Sequence, residues 1–475
     1  MSNQCRPPVI TRAYPASRES PSGAYPLMTI SIDRRRFTQG LVASAFAGLA
    51  LHSRRVSAHM LAESGGFGVP VPDPAAILDL PPGFSYTILS QFGQPMSDGN
   101  RVPNSADGMG CTVLPDGRLC LMRNHELDPA DFKSGAFATG ADAGAAFDRL
   151  GGRALPGGAS TLILDPETLV VEEQYLALAG TIRNCSGGMT PWGSWLSCEE
   201  DVSNAGKLGH DHGWVFEIPV APGGLVAAEP VRAMGRFNHE AAVCDPKSGV
   251  IYMTEDRQDS LFYRFVPHQR GVLRAGGRLQ ALAFSAPGLT DTRNWSRAAF
   301  PMQSWQDVRW VDLDQVESPA DDLRKRGARA GAAIFARGEG IHGGDGEIYF
   351  TCTSGGPVRR GQIMRYRPSA AEGTAAEAQT PGRLQLFLES TEPEHFCFGD
   401  NLTVAPNGDL IVCEDRRGAK PDNWLRGVTP DGKVYPFARV TAQTKCAGVC
   451  FAPDGKTMFL NLYSPARTIA VRGPF

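Results

Sequence analysis

Asp107, Cys185, Glu240, Glu339 and Asp400 are far apart in the chain, yet each takes the same place in a recurring local pattern. Each stands seven to ten residues before a turn glycine, respectively Gly117, Gly193, Gly249, Gly346 and Gly408, and opens a short apolar run leading into that turn. A second apolar run follows, often ending in acid. If these runs are strands, and the first of each pair is innermost around a common axis, the five side chains meet in one channel. Carboxylates gathered in a low dielectric raise one another's pKa, and bound cations relieve that conflict by replacing protons. Carboxylate oxygens suit hard ions such as Ca2+ and Fe3+. Cys185 adds a softer ligand that Ca2+ does not select, so the set points to a transition metal beside calcium.

The ends of the second runs provide another acidic set: Glu126, Glu199, Glu200, Glu255 and Glu414. Glu200 and Glu414 read as further ligands, while acids in such places also cap turns or face solvent. His125 and His239 each precede a Glu, as supports for a ligand or as plain hydrogen-bonding partners. Arg337 lies two residues before Glu339 in ARGEG, so strand alternation sends both to one face. A guanidinium there can grip a phosphate in a bidentate manner, or pair with Glu339 itself.

The elements that must position these residues are six strand–turn–strand units. They read DGMGCTVLPDGRLCLMRNHE, CSGGMTPWGSWLSCEED, EAAVCDPKSGVIYMTEDR, EGIHGGDGEIYFTCTSGG, DNLTVAPNGDLIVCEDR and KCAGVCFAPDGKTMFLNLYSP. Repetition at this scale predicts an all-β protein, a six-bladed β-propeller with loop and helical insertions. Residues 59–475 form its single domain. Residues 128–158 read as a loop with a short helix near 143–150, residues 267–330 as the longest insertion, and residues 368–382 as an exposed linker. Thr468 to Val471 reads as a final strand that closes the ring. Of the 11 Cys, most fall in apolar runs and read as small buried hydrophobes, with no disulfide expected.

The net charge of −3 hides an asymmetry, because residues 1–58 carry eight Arg against Glu19 and Asp33. That segment is +6 and the remainder −9, with no basic stripe to bind nucleic acid. Within it, Arg34 and Arg35 precede a modest Gly/Ala-rich apolar run and a small-residue site at Val56-Ser57-Ala58. The pattern predicts a twin-arginine export signal, with the translocation machinery as partner and a true start at Met28. The apolar run is short for a bilayer, so no stable span is expected after cleavage. The mature protein is expected in the periplasm or outside the cell.

The ordered runs LAGTIRNCSGGMTPWGSWLSCEED, GRFNHEAAVCDPKSGVIYMTEDRQDSLFYRF, ARGEG, GDNLTVAPNGDLIVCED and AGVCFAPDGKTMFLN resemble the PhoX-type alkaline phosphatases from about Asp73 to the C-terminus. The resemblance implies a twin-arginine-exported propeller that hydrolyses small phosphate esters at a mixed iron and calcium cluster. It implies cluster ligands at Cys185, Glu240, Glu339 and Asp400 and a phosphate-binding role for Arg337. Arg183 and Arg416 are candidates for further phosphate contacts. The family pattern carries an acid just before its last unit, where this chain has Lys445-Cys446. That departure leaves room for two other readings: a calcium-dependent propeller hydrolase such as a lactonase, and a non-catalytic propeller that binds partners.

Overall fold

In the computed structural model, which describes residues 66–475 except 138–143, 393 and 419, the six repeated units are all strand pairs. Their first strands are β1 (Ala106–Val113), β2 (Asn184–Met189), β3 (His239–Cys244), β4 (Gly338–Gly344), β5 (Gly399–Val404) and β6 (Cys446–Phe451). Each inner strand turns back at its glycine, and all six turn glycines, from Gly117 to Gly455, have φ between 73° and 91°. A side chain would strain that backbone, which explains why the turn residue repeats. Each inner strand touches the next, and β6 touches β1, so the six close a ring around a channel. The described residues lie in one unit, Ala58–Phe475. Residues 1–57, which hold Arg34, Arg35 and Met28, lie outside the description.

Outward from the ring, antiparallel strands extend each inner strand into a sheet. β1 carries Leu119–His125, Gly157–Leu164 and Val171–Thr181, and β2 carries Ser194–Glu199 and Val215–Pro219. The sheets that start from β3 and β4 share the outer strand Trp305–Asp312 and merge into one sheet of nine strands. The hydrogen-bonded sheets therefore do not divide into six; six is the number of inner strands in the ring. β5 leads to a sheet whose edge is Leu78–Asp79. β6 leads through Thr457–Leu462 and Arg467–Arg472 to Ser85–Gln91. The expected last strand does close the ring, and it does so by pairing with a strand from the other end of the chain.

Apolar residues alternate into the spaces between sheets. Between the β3 and β4 sheets Phe262 stacks on Phe350 at 4.3 Å, beside Tyr252, Phe335, Tyr366 and Leu384, all fully buried. Burial of each such side chain contributes roughly 2–3 kcal/mol. Cys120, Cys198, Cys244, Cys352, Cys413 and Cys450 are buried in the same way, and no disulfide links the described cysteines.

Two expectations about connections fail. Near residues 143–150 the described residues hold no helix, and Arg149–Leu150 pairs instead with Arg153–Ala154 as a small ribbon. Residues 368–382 are not simply an exposed linker. Arg264 donates to Glu372 at 2.5 Å and to Glu377 at 2.6 Å, drawing the segment and its short turn Ala375–Gln379 onto the sheet. A charge pattern thus overrides a composition that looks solvated. The 267–330 insertion supplies Gly277–Phe284, Trp305–Asp312 and α1 (Leu323–Arg329). No helix among the described residues is long and apolar enough to cross a membrane.

Candidate metal centre

Asp107, Cys185, Glu240, Glu339 and Asp400 are each the second residue of β1 to β5. In every case the strand pairing slips just there, between Ala106 and Met109, Asn184 and Gly187, His239 and Ala242, Gly338 and Ile341, and Gly399 and Leu402. A bulge leaves its extra residue unpaired and re-aims its side chain, and five equivalent bulges aim these five at the axis. The approach to the bulge is strained in four of them. Ser105, Arg183, Arg337 and Phe398, each two residues earlier, have φ between 44° and 57°, a conformation that costs a non-glycine residue about 1 kcal/mol or more.

The ring is also tied across sheets, because side chains of second strands hold the carbonyls of the next inner strand. Thr254 donates to Glu339 O, Thr351 to Asp400 O at 2.7 Å, Asn124 to Ser186 O at 2.7 Å, and Asn461 to Asp107 O at 2.6 Å. Small residues permit this closeness. A Cβ on Gly108 would sit 2.4 Å from Ser186 Cα, and one on Gly340 would sit 2.6 Å from Asn401 Cα.

The side chains form three overlapping sets: Asp107, Glu126 and Cys185; Cys185, Glu200 and Glu240; and Glu240, Glu339 and Asp400. Within each set the ligand atoms lie within 4.8 Å of one another. Cys185 Sγ donates to Glu240 Oε1 at 3.2 Å, while Glu240 Oε2 and Asp107 Oδ1 are buried without a hydrogen-bond partner. Burial, reinforced by neighbouring acids, pushes Cys185, Glu200, Glu240 and Glu339 well above their usual ranges. Burial likewise raises Asp107, to about 8, against the pull of Lys445. Such groups keep their protons until a cation replaces them. Orphaned buried oxygens, three convergent sets and one thiol among carboxylates fit a multinuclear metal centre with both hard and softer ions.

Above the ring lies a mouth of about 460 Å³, which Arg183, Arg337, Arg416, Lys445 and Tyr463 also line. Arg183 reaches both Glu126 and Glu200 at 2.5 Å. Arg337 meets Asp256 through Nε and Nη2, each at 2.7 Å, and Glu339 through Nη2 at 2.7 Å. The salt bridge to Glu339 that alternation allows is present, and it leaves Nη1 without a protein partner among the described residues. The inner strands also line a second, more apolar cavity, where Met109, Met189, Trp195, Ile341, Val404 and Val449 stand beside Asp245, Lys247 and Glu347.

Glu414 is not brought into the cluster. Its carboxylate accepts from Arg426 Nε at 3.1 Å, Arg416 Nε at 3.0 Å and the amides of Cys397 and Trp424, with its side chain fully buried. The next residue, Asp415, faces the mouth instead. Asp256 stands in the same relation to Glu255, and both mouth acids escaped sequence reasoning. Their signal was the paired acid ending each second strand, as in CEED, TEDR and CEDR. His125 and His239 face away, to Asn104 O and Ser160 Oγ and to Gly235 O.

No protein of curated function matches this sequence. Among solved structures, Pseudomonas fluorescens PhoX in complex with vanadate, a transition state analogue, superposes with a TM-score of 0.66 at 18% identity, covering 85% of this chain and 97% of that one. At that identity it supports the propeller fold. A Xanthomonas campestris gluconolactonase (TM-score 0.37, 11% identity, 86% of this chain and 98% of that one) and a Dyadobacter fermentans protein of unknown function (0.42, 10%, 83% and 100%) set no further constraint. The sequence profile of alkaline phosphatase PhoX matches residues 65–155 and 156–466. With both stretches of its body matched, the chain belongs to the PhoX family of alkaline phosphatases, metal-dependent hydrolases of phosphate esters.

Proposed function

We propose that this phosphatase hydrolyses phosphate monoesters at the mouth of the acidic ring, with iron and calcium held by Cys185, Glu200, Glu240, Glu339, Asp400 and Asp107. The observation that carries the reading is the convergence of three ligand sets around Cys185 and Glu240, with buried oxygens left unpartnered. Bound there, the metals supply positive charge to the phosphoryl oxygens and activate the attacking water, so no serine nucleophile is required.

The chain's own residues do the rest. Arg337 lines the mouth and is held by Asp256 and Glu339, so it grips an equatorial phosphoryl oxygen without first having to be ordered. Arg183, fixed by Glu126 and Glu200, places a second positive charge on the adjoining rim. Cys185 and Glu240 give up their protons when the ions bind, which removes the Sγ–Oε1 hydrogen bond and frees both groups to ligate. Arg34 and Arg35 direct export to the periplasm or medium by the twin-arginine route, which carries already folded protein.

Elemental analysis of natively exported protein, paired with p-nitrophenyl phosphate turnover before and after chelation, tests the reading. Iron with calcium and chelator-sensitive turnover is the expected result. Calcium alone without turnover would overturn it and favour another hydrolase chemistry or a binding role.

A further inference from the structure

The ring has six inner strands but only five ligand side chains, and the sixth position is instructive. β6 carries the same bulge as the others, between Ala447 and Cys450, so its ring residue is Gly448. No side chain fits there, since a Cβ on Gly448 would lie 2.3 Å from Asp107 O and 2.9 Å from Asn461 Nδ2. The amide of Gly448 is spent on Asn401 Oδ1 at 2.6 Å. The gap opens between Asp400 on β5 and Asp107 on β1, the two ring residues that flank β6.

Lys445, three residues ahead of Gly448, reaches into that gap. Its Nζ lies 3.2 Å from Asp107 Oδ2 and 2.9 Å from Asp400 Oδ2, with its side chain only 16% exposed. The Tyr463 ring covers the ammonium from a third side, 4.8 Å from its centre. Both Asp400 oxygens already have a partner, since its Oδ1 accepts from Asn401 Nδ2 at 2.9 Å. Among the described residues no lysine pairs with Glu240 or Glu339 at the other flank of the ring, and Glu240 Oε2 has no hydrogen-bond partner.

We propose that Lys445 is a built-in cation of the ring: its ammonium takes the position that a divalent ion bridging Asp107 and Asp400 would hold. The chain then loads metal at the sets built on Cys185, Glu240 and Glu339, which Asp107 and Asp400 join, and none between the two aspartates themselves. This rests on the metal-centre reading above, and it narrows where the ions go. A fixed single positive charge offsets one of the aspartate pair's two negative charges and offers no open coordination position. That quarter of the ring therefore holds the scaffold together and takes no part in binding the phosphoryl group.

Elemental analysis of Lys445→Met and Lys445→Gln, purified in parallel with the wild type in calcium-containing buffer, reads the claim directly. The expected result is one additional calcium per chain in both variants and no change in Lys445→Arg. Unchanged calcium in folded Lys445→Met would overturn it. Should the variants not fold, anomalous scattering from crystals of the metal-loaded wild type decides. Lysine density between Asp107 and Asp400 supports the inference, and a metal ion there, with Lys445 displaced, overturns it. A wild type that binds no metal at all sinks the metal-centre reading, and this inference with it.

Discussion

Glu199 and Glu200, Glu255 and Asp256, and Glu414 and Asp415 are three pairs of neighbouring acids in equivalent places, and the members of each pair have opposite tasks. The first of each points into the body and is fully buried. Glu199 holds His212 Nδ1 at 2.7 Å and the amides of Gly213 and Trp214, while Glu255 holds Tyr263 Oη at 2.8 Å and the amide of Leu261. Glu414 holds two arginines and two amides. The second of each faces the mouth among other acids and arginines. One residue of displacement along a strand reverses the side chain's direction. The same carboxylate is a clamp for loop backbone on one side and a charge offered to ligands on the other.

The difference is sharpest under substitution. Glu240→Gln or Cys185→Ser removes a ligand shared by two sets and should lower turnover about 10³-fold or more, near 4 kcal/mol of barrier. Metal content should fall with it, while urea unfolding of the chelated protein stays unchanged or improves, because a buried acid has gone. Glu414→Ala should do the reverse. With the buried carboxylate that both Arg426 and Arg416 meet removed, stability should drop by about 3–5 kcal/mol in urea titration, with metal per folded chain unchanged. Loss of metal in that variant would erase the distinction between the two kinds of acid.

A smaller effect is expected at the rim. Arg337→Lys keeps a charge but loses the planar fork that fits Asp256, and kcat/KM should fall about 10²-fold, near 2.7 kcal/mol, at full metal loading. Least in size is a pH effect on the chelated protein. Burial, with Asp400 and Glu126 adding to it, raises Asp107 from 3.8 to about 8 despite Lys445. Between those values the folded chain keeps a proton that the unfolded chain has released, so stability falls as pH rises. The melting temperature after chelation should be lower at pH 8 than at pH 5. Metal-loaded protein, its protons already displaced, should not share that trend.

Much of this was legible in the sequence because the ring is a repeat. The turn glycines and the residues at the strand starts recur at nearly fixed offsets, and the resemblance runs over the same segments. What could not be read is whatever depends on register or on distant partners. Glu414 looked as good a ligand as Glu200, because nothing local says which of two adjacent acids follows the bulge-shifted register into the channel. Asp256 and Asp415 were hidden by the same ambiguity. Gly448 has no local signal of its place, and only its bulge identifies it as the missing sixth ring position. The 368–382 segment looked solvated because its anchor, Arg264, lies more than a hundred residues away in sequence.

The pairing of Ser85–Gln91 with Arg467–Arg472 bears on when the proposed metal centre can be completed. The proposed ligands run from Asp107 to Asp400, and Lys445 stands between the first and the last of them. The strand that buttresses β6 against opening is among the last made. A chain still emerging from the ribosome has ligands but no channel. The ring is complete only when the beginning of the domain receives its end, so a copy clipped ahead of Arg467 lacks the closing strand and with it the closed channel.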